Sequence, residues 1–175
     1  GYNIPKTNAF PSLIQEKVGS QNYEIINAGI SGDTTYTLIN RMDWTLSQAT
    51  PNVVFLAIGA NDGLRGYNIP IIKGNIELII NRLHERDILI ILSGISLPKN
   101  YSEQYISRFE MIYEELASEN QLLFYPNLLT EVAGVDSLNL NDRIHPNEDG
   151  HQKMADLIYE FLVSNNVITS DNTIE

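Results

Sequence analysis

Apolar positions along the chain alternate between two periods. Four short runs are dense in β-branched or aromatic residues: Tyr23 to Asn27, Asn52 to Ile58, Ile88 to Ser93 and Leu122 to Tyr125. Their near-continuous apolar character predicts parallel strands buried on both faces. The segments between them carry helical spacing. Pro11 to Val18 has Pro at its start and Gly19 beyond its end, the usual asymmetry of helix termini. Thr35 to Ser47 places Leu38, Met42 and Leu46 at steps of four, and Ile72, Ile76, Ile79, Ile80 and Leu83 form a similar stripe. Two more stripes follow: Tyr105, Phe109, Ile112 and Leu116, then Met154, Leu157, Ile158, Phe161 and Leu162. Strand and helix alternate throughout, which predicts an α/β fold with helices on both faces of a parallel sheet and right-handed crossovers.

At 175 residues, 43% of them hydrophobic, the chain can bury one sizeable core and is short for two. A single domain over residues 1–168 is expected, followed by a polar tail at 169–175. Eleven Lys and Arg against 22 Asp and Glu give a net charge of −11. That field repels phosphate backbones and anionic lipid, so nucleic-acid binding is disfavoured. Cysteine is absent, which removes disulfides, thiolate catalysis and zinc–thiolate sites together. No apolar run approaches the ~20 residues of a spanning helix, so stable membrane insertion is not expected. The start, Gly1-Tyr2-Asn3-Ile4-Pro5, has neither an initiator Met nor a basic, apolar, cleavable leader. Sequence upstream of Gly1 is therefore expected to have been removed.

In parallel sheets ligands bind beyond the carboxyl ends of the strands, so chemistry is sought in the loops that follow them. After the first run comes Ala28-Gly29-Ile30-Ser31-Gly32-Asp33-Thr34. It reads as a tight turn with Asp33 or Thr34 as N-cap, or as a loop whose Gly backbone N–H can approach an oxyanion closely. The full G-x-G-x-x-G spacing is lacking, which argues against a dinucleotide site. After the second run, Gly59-Ala60-Asn61-Asp62-Gly63-Leu64-Arg65-Gly66 holds three glycines in eight residues. One reading is a flexible loop. The other gives the Asn61 amide a task, as a donor to charge developing on a carbonyl oxygen, worth roughly 2.7 to 4 kcal/mol to a transition state.

Near the C-terminus, Asn141-Asp142-Arg143-Ile144-His145-Pro146-Asn147 precedes the last helix. A carboxylate three residues before a His can hold Nδ1 and stabilise the imidazolium formed when Nε2 takes a proton. The plainer alternative is a helix cap or a surface pair. His84, in a charged helix end, and His151, in the first turn of the last helix, are expected at the surface. No H-E-x-x-H or comparable ligand spacing occurs, so no metal site is expected.

Taken together, Gly32 in Ile-Ser-Gly-Asp, Asn61 in Gly-Ala-Asn-Asp, and Asp142 with His145 in Asp-x-x-His-Pro-Asn resemble the second, third and fifth sequence blocks of the SGNH (GDSL) hydrolases. GANDGLRG at 59–66 and Leu97-Pro98-Lys99-Asn100-Tyr101 resemble the bacterial thioesterase, arylesterase and lysophospholipase branch, and the similarity covers nearly the whole chain. The resemblance implies a three-layer, flavodoxin-like α/β fold of five strands, four of them within this chain. It also implies that His145 is the general base, oriented by Asp142. The Gly32 N–H and the Asn61 side chain would form the oxyanion hole. The reaction would be hydrolysis of a small-molecule acyl ester or thioester through an acyl-enzyme, with no cofactor and a periplasmic or secreted location.

The family's first block, a strand followed by Gly-Asp-Ser-Leu, has no counterpart, and Gly1-Tyr2 matches the pair a few residues beyond its serine. The nucleophile is accordingly expected upstream of Gly1, supplied by preceding sequence or by a separate N-terminal fragment that stays bound. Ser31, Ser93 and Ser96 lie in candidate loops, but none sits in a G-x-S-x-G elbow. Rival readings are a carbohydrate or acetyl esterase, and an inactive relative that binds an acyl ligand. A receiver or flavodoxin-like protein shares the alternation but leaves Asn61 and the Asp142–His145 pair unexplained.

Overall fold

In a computed structural model, residues 2–169 are described. In chain order the main elements are α1 (Phe10–Val18), α2 (Thr35–Gln48), β1 (Val53–Leu56), α3 (Ala60–Leu64), α4 (Ile69–His84), β2 (Leu89–Ser93), α5 (Glu103–Glu119), β3 (Leu123–Tyr125) and α6 (Glu148–Ser164). The chain packs as two compact units. One holds the residues up to Ser31 together with those from Leu129 onward, and the other is Gly32–Leu128.

The central unit contains the sheet. Its strands are parallel in the order β1-β2-β3, with Val53 opposite Leu89 and Ile91 opposite Leu123. The crossover helices α4 and α5 pack against each other and against β2, so they share one face, and α2 packs beside α4. The apolar stripes read from the sequence explain this packing. Ile72, Ile76, Ile79, Ile80 and Leu83 of α4 and Phe109, Ile112 and Leu116 of α5 are all buried in one core with Leu56, Ile90 and Leu92. Along β2, Ile90, Ile91 and Leu92 are each 1% exposed or less. Successive strand side chains point to opposite faces, so β2 is buried on both, as its unbroken apolar run requires.

The terminal unit is built on α1 packed against α6. Ile14 and Val18 of α1 and Met154, Ala155, Ile158 and Leu162 of α6 are buried. Gly19 ends α1 at φ +66°, a conformation that costs glycine nothing.

Two sequence expectations need correction. Tyr23–Asn27 forms no strand, so the described sheet has three strands rather than four. On one edge of the segment a side chain stands where a neighbouring strand would pair: Ile25 N–H donates to Gln15 Oε1 at 2.6 Å, and Gln15 Nε2 donates to the Tyr23 carbonyl at 3.2 Å. The 59–66 segment, read as a loop, is largely the short helix α3, entered through Gly59 at φ +109°. Of the tail expected at 169–175, residues 170–175 lie outside the described residues.

Candidate catalytic site

Asp142 and His145 sit in a narrow turn before α6. Its two arms are joined by Leu140 N–H donating to the His145 carbonyl at 2.8 Å and Asn147 N–H donating to the Leu138 carbonyl at 3.0 Å. Arg143 closes the turn at φ +58°. Asn147 then caps α6, accepting from Gly150 N–H at 2.9 Å. Within the turn Asp142 acts at three points. Its Oδ1 accepts from the Ile144 and His145 backbone N–H groups at 2.9 and 3.0 Å, and its Oδ2 lies 2.9 Å from His145 Nδ1. The His145 backbone N–H, then Ile144 N–H and the imidazole, hold the Asp142 carboxyl at a pKa of about 2. An ionised carboxylate at that position selects the Nδ1–H tautomer and leaves Nε2 with its lone pair. The Tyr2 ring lies over the imidazole, with centroids 4.3 Å apart and planes 30° from each other. In the sequence Tyr2 stands out only as part of the Gly1-Tyr2 pair, with no contact to His145 implied.

The other predicted residues belong to the central unit. Gly32 adopts φ +86°, and a Cβ there would meet nothing within 4 Å. Glycine is therefore required by backbone conformation rather than by close neighbours. Thr34 caps α2 in a reciprocal box with Thr37, while Asp33 instead pairs with Arg41, whose Nε donates at 2.7 Å. Asn61 does not stand on a strand end; it lies in α3, where its Nδ2 donates to the Asp33 carbonyl at 2.8 Å. That bond uses one of the two amide hydrogens and fixes the direction of the other. Next to it, Asp62 is 2% exposed and accepts from both the N–H and the hydroxyl of Thr35. This buried carboxylate was not singled out in the sequence, where its only signal is an acidic residue inside a glycine-rich segment.

The histidine expectations divide. His84 is exposed. His151 is not at the surface: it is 6% exposed, its Nδ1 accepts from Phe10 N–H at 3.2 Å, and burial lowers its pKa to about 4. Of the serines, Ser93 is wholly buried with its hydroxyl donating to the Gly94 carbonyl, whereas Ser31 and Ser96 are exposed.

Residues 1–153 match the model of the GDSL-like lipase/acylhydrolase family. The chain belongs to that family. It is 32% identical to an arylesterase of Vibrio mimicus over 165 residues, covering 93% of this chain and 82% of the relative. It is 33% identical over 156 residues to thioesterase 1/protease 1/lysophospholipase L1 of Escherichia coli K12, covering 89% and 74%. Among solved structures, the psychrotrophic esterase EstA of a Pseudoalteromonas species superposes with a TM-score of 0.88 at 26% identity, covering 95% of this chain and 92% of that one. The family is the one that Gly32, Asn61, Asp142 and His145 indicated in the sequence, and its α/β fold with a parallel sheet is the class the hydrophobic pattern predicted. No helix among the described residues is long and apolar enough to cross a membrane.

Proposed function

We propose that the protein hydrolyses esters or thioesters of acyl substrates through an acyl-enzyme, with residues 1–168 functioning as one hydrolase domain. His145 is the general base, Asp142 orients it, and the Gly32 N–H and Asn61 amide receive the oxyanion. The observation that carries this reading is the Asp142–His145 pair, with Oδ2 at 2.9 Å from Nδ1 and the carboxylate held ionised by two backbone donors. Membership of a family whose relatives are named as esterases and a thioesterase supports it.

The chemistry follows from the atoms. Nε2 of His145 takes the proton of the attacking hydroxyl as its oxygen bonds to the acyl carbon, and the imidazolium is stabilised by Asp142. The carbonyl oxygen becomes an oxyanion, which accepts from Gly32 N–H and from the Asn61 amide hydrogen not engaged with Asp33. Nε2 then returns the proton to the leaving alcohol or thiol, and water repeats the sequence to release the acid. The attacking hydroxyl is that of a serine.

Hydrolysis of p-nitrophenyl and acyl-thioester substrates by the protein with its nucleophilic serine in place tests the assignment. His145→Ala should abolish turnover, and Asp142→Asn should lower kcat by up to about 10⁴-fold, the loss known when a triad Asp is amidated in a serine protease. Turnover that survives His145→Ala places the base elsewhere.

A further inference from the structure

Two adjacent residues of α3 make two parallel ties to the segment that carries Gly32. Asn61 Nδ2 donates to the Asp33 carbonyl at 2.8 Å. Asp62 accepts from Thr35 N–H at 2.9 Å on Oδ2 and from Thr35 Oγ1 at 2.6 Å on Oδ1. Thr35 is fully buried, and its hydroxyl also accepts from Asn75 Nδ2 at 2.9 Å, so the Asp62–Thr35–Asn75 chain links α3, α2 and α4. The far end of α3 is tied down as well, with Tyr101 Oη donating to the Leu64 carbonyl at 2.7 Å and Tyr105 Oη to the Tyr67 carbonyl at 3.0 Å.

Capping α2 accounts for only part of this carboxylate's bonding: Oδ2 takes the Thr35 N–H, which the box of Thr34 and Thr37 leaves over, while Oδ1 holds the Thr35 hydroxyl. Thr34 and Thr37 already form a reciprocal capping box at that terminus, and a local acidic residue in the first turn would complement the dipole while staying in water. Burying a charge is costly, and Asp62 is 2% exposed. What it achieves that a local cap cannot is a fixed distance between two different chain segments, one bearing the Gly32 N–H and the other the Asn61 amide.

Resting on the oxyanion-hole reading above, we propose that Asp62 is a positioning residue that sets the spacing of the two oxyanion donors through Thr35. It touches no substrate. Its effect on catalysis is transmitted through the placement of Asn61 relative to Gly32.

Asp62→Asn is the first test. Thr35 N–H demands an acceptor, so the new amide must turn its oxygen there and its NH2 toward Thr35 Oγ1, which leaves the hydroxyl proton without its acceptor. The expected result is a fall in kcat of about 10²-fold, the scale of a small misplacement at a reacting centre, with KM unchanged. In an Asn61→Ala background the same substitution should lower kcat no further, because the donor it positions is gone. Thr35→Val, which keeps the N–H bond and removes only the hydroxyl, should show the same kcat-selective loss and the same non-additivity, and it decides the matter if Asp62→Asn does not fold. Thr35→Ser should restore kcat. Losses that multiply in the double variants, or a fall in thermal stability with kcat intact, overturn the proposal. Full activity in Asn61→Ala alone overturns instead the oxyanion-hole reading beneath it.

Discussion

His145 and His151 are the same side chain in opposite surroundings. His145 faces a carboxylate at 2.9 Å in an exposed turn, whereas His151 is buried, accepts from Phe10 N–H on Nδ1 and stacks on the Phe10 ring at 6.1 Å. Protonating His151 would break the acceptor bond and bury a charge, which is why burial lowers its pKa to about 4 from 6.5. A base with a depressed folded-state pKa binds its proton more readily when unfolded. Its contribution to stability is therefore complete above pH 6.5 and is lost as pH falls from about 6.5 toward 4. The shift corresponds to roughly 3 kcal/mol once both states are protonated. His151→Asn, which keeps an acceptor for Phe10 N–H but does not titrate, should flatten the decline of Tm across that window; an unchanged slope would assign it to other groups. Asp142 has linkage of the same sign at lower pH: its contribution is complete above about pH 3.8 and is lost as pH falls to about 2. The Asp142 carboxylate is thus ionised throughout the neutral range. Residues of one type differ in how legible they are. Asp142 and His145 were legible because three-residue spacing in a turn brings them together locally, but the exposure of His151 depends on α1, more than a hundred residues away in the chain.

Long periodic elements were the most legible. The stripes of α4 and α5 identify both the helices and their buried faces, since 16 and 17 residues repeat the same signal. The strand expected at Tyr23–Asn27 shows the converse. β-branched and aromatic composition describes side chains, while a strand also needs a partner for its backbone. Gln15 meets that need on one edge only, binding Ile25 N–H and the Tyr23 carbonyl from α1, and its Nε2 also donates to the Gly19 carbonyl at 2.7 Å. No propensity argument anticipates a glutamine side chain in place of a ladder. The 59–66 segment departs from a flexible loop for a related reason: three glycines signal flexibility, but Tyr101 and Tyr105 hold the carbonyls of α3 from outside the segment. Gln15→Ala should cost about 1–3 kcal/mol, because it removes three side-chain bonds to the backbone of two segments. It should also accelerate hydrogen exchange at the Ile25 amide while α1 remains protected. Unchanged exchange at Ile25 would show that the amide bond does not order the segment.

Across the whole molecule, charge is the property the sequence states most directly and local structure least alters. Eleven cations cannot neutralise 22 acidic residues, so at least half of the carboxylates have no cation to themselves. The ion pairs that form are mainly solvated: Lys73 with Glu115 and Glu119, Arg86 with Asp43, and Lys17 with Asp156 all have side chains about a third exposed or more. Each contributes only ~0–1 kcal/mol. Salt weakens these attractions and the repulsion among surplus carboxylates together, and the repulsion is the larger sum because it runs over many unpaired charges. Raising ionic strength from about 0.01 to 0.15 M shortens the screening length from ~30 to ~8 Å. Tm should therefore rise over that range at neutral pH. The rise should shrink as pH falls toward the carboxylate pKa values, where the surplus charge is being neutralised. A Tm that is flat or falls with salt at pH 7 would mean that the local pairs outweigh the net field.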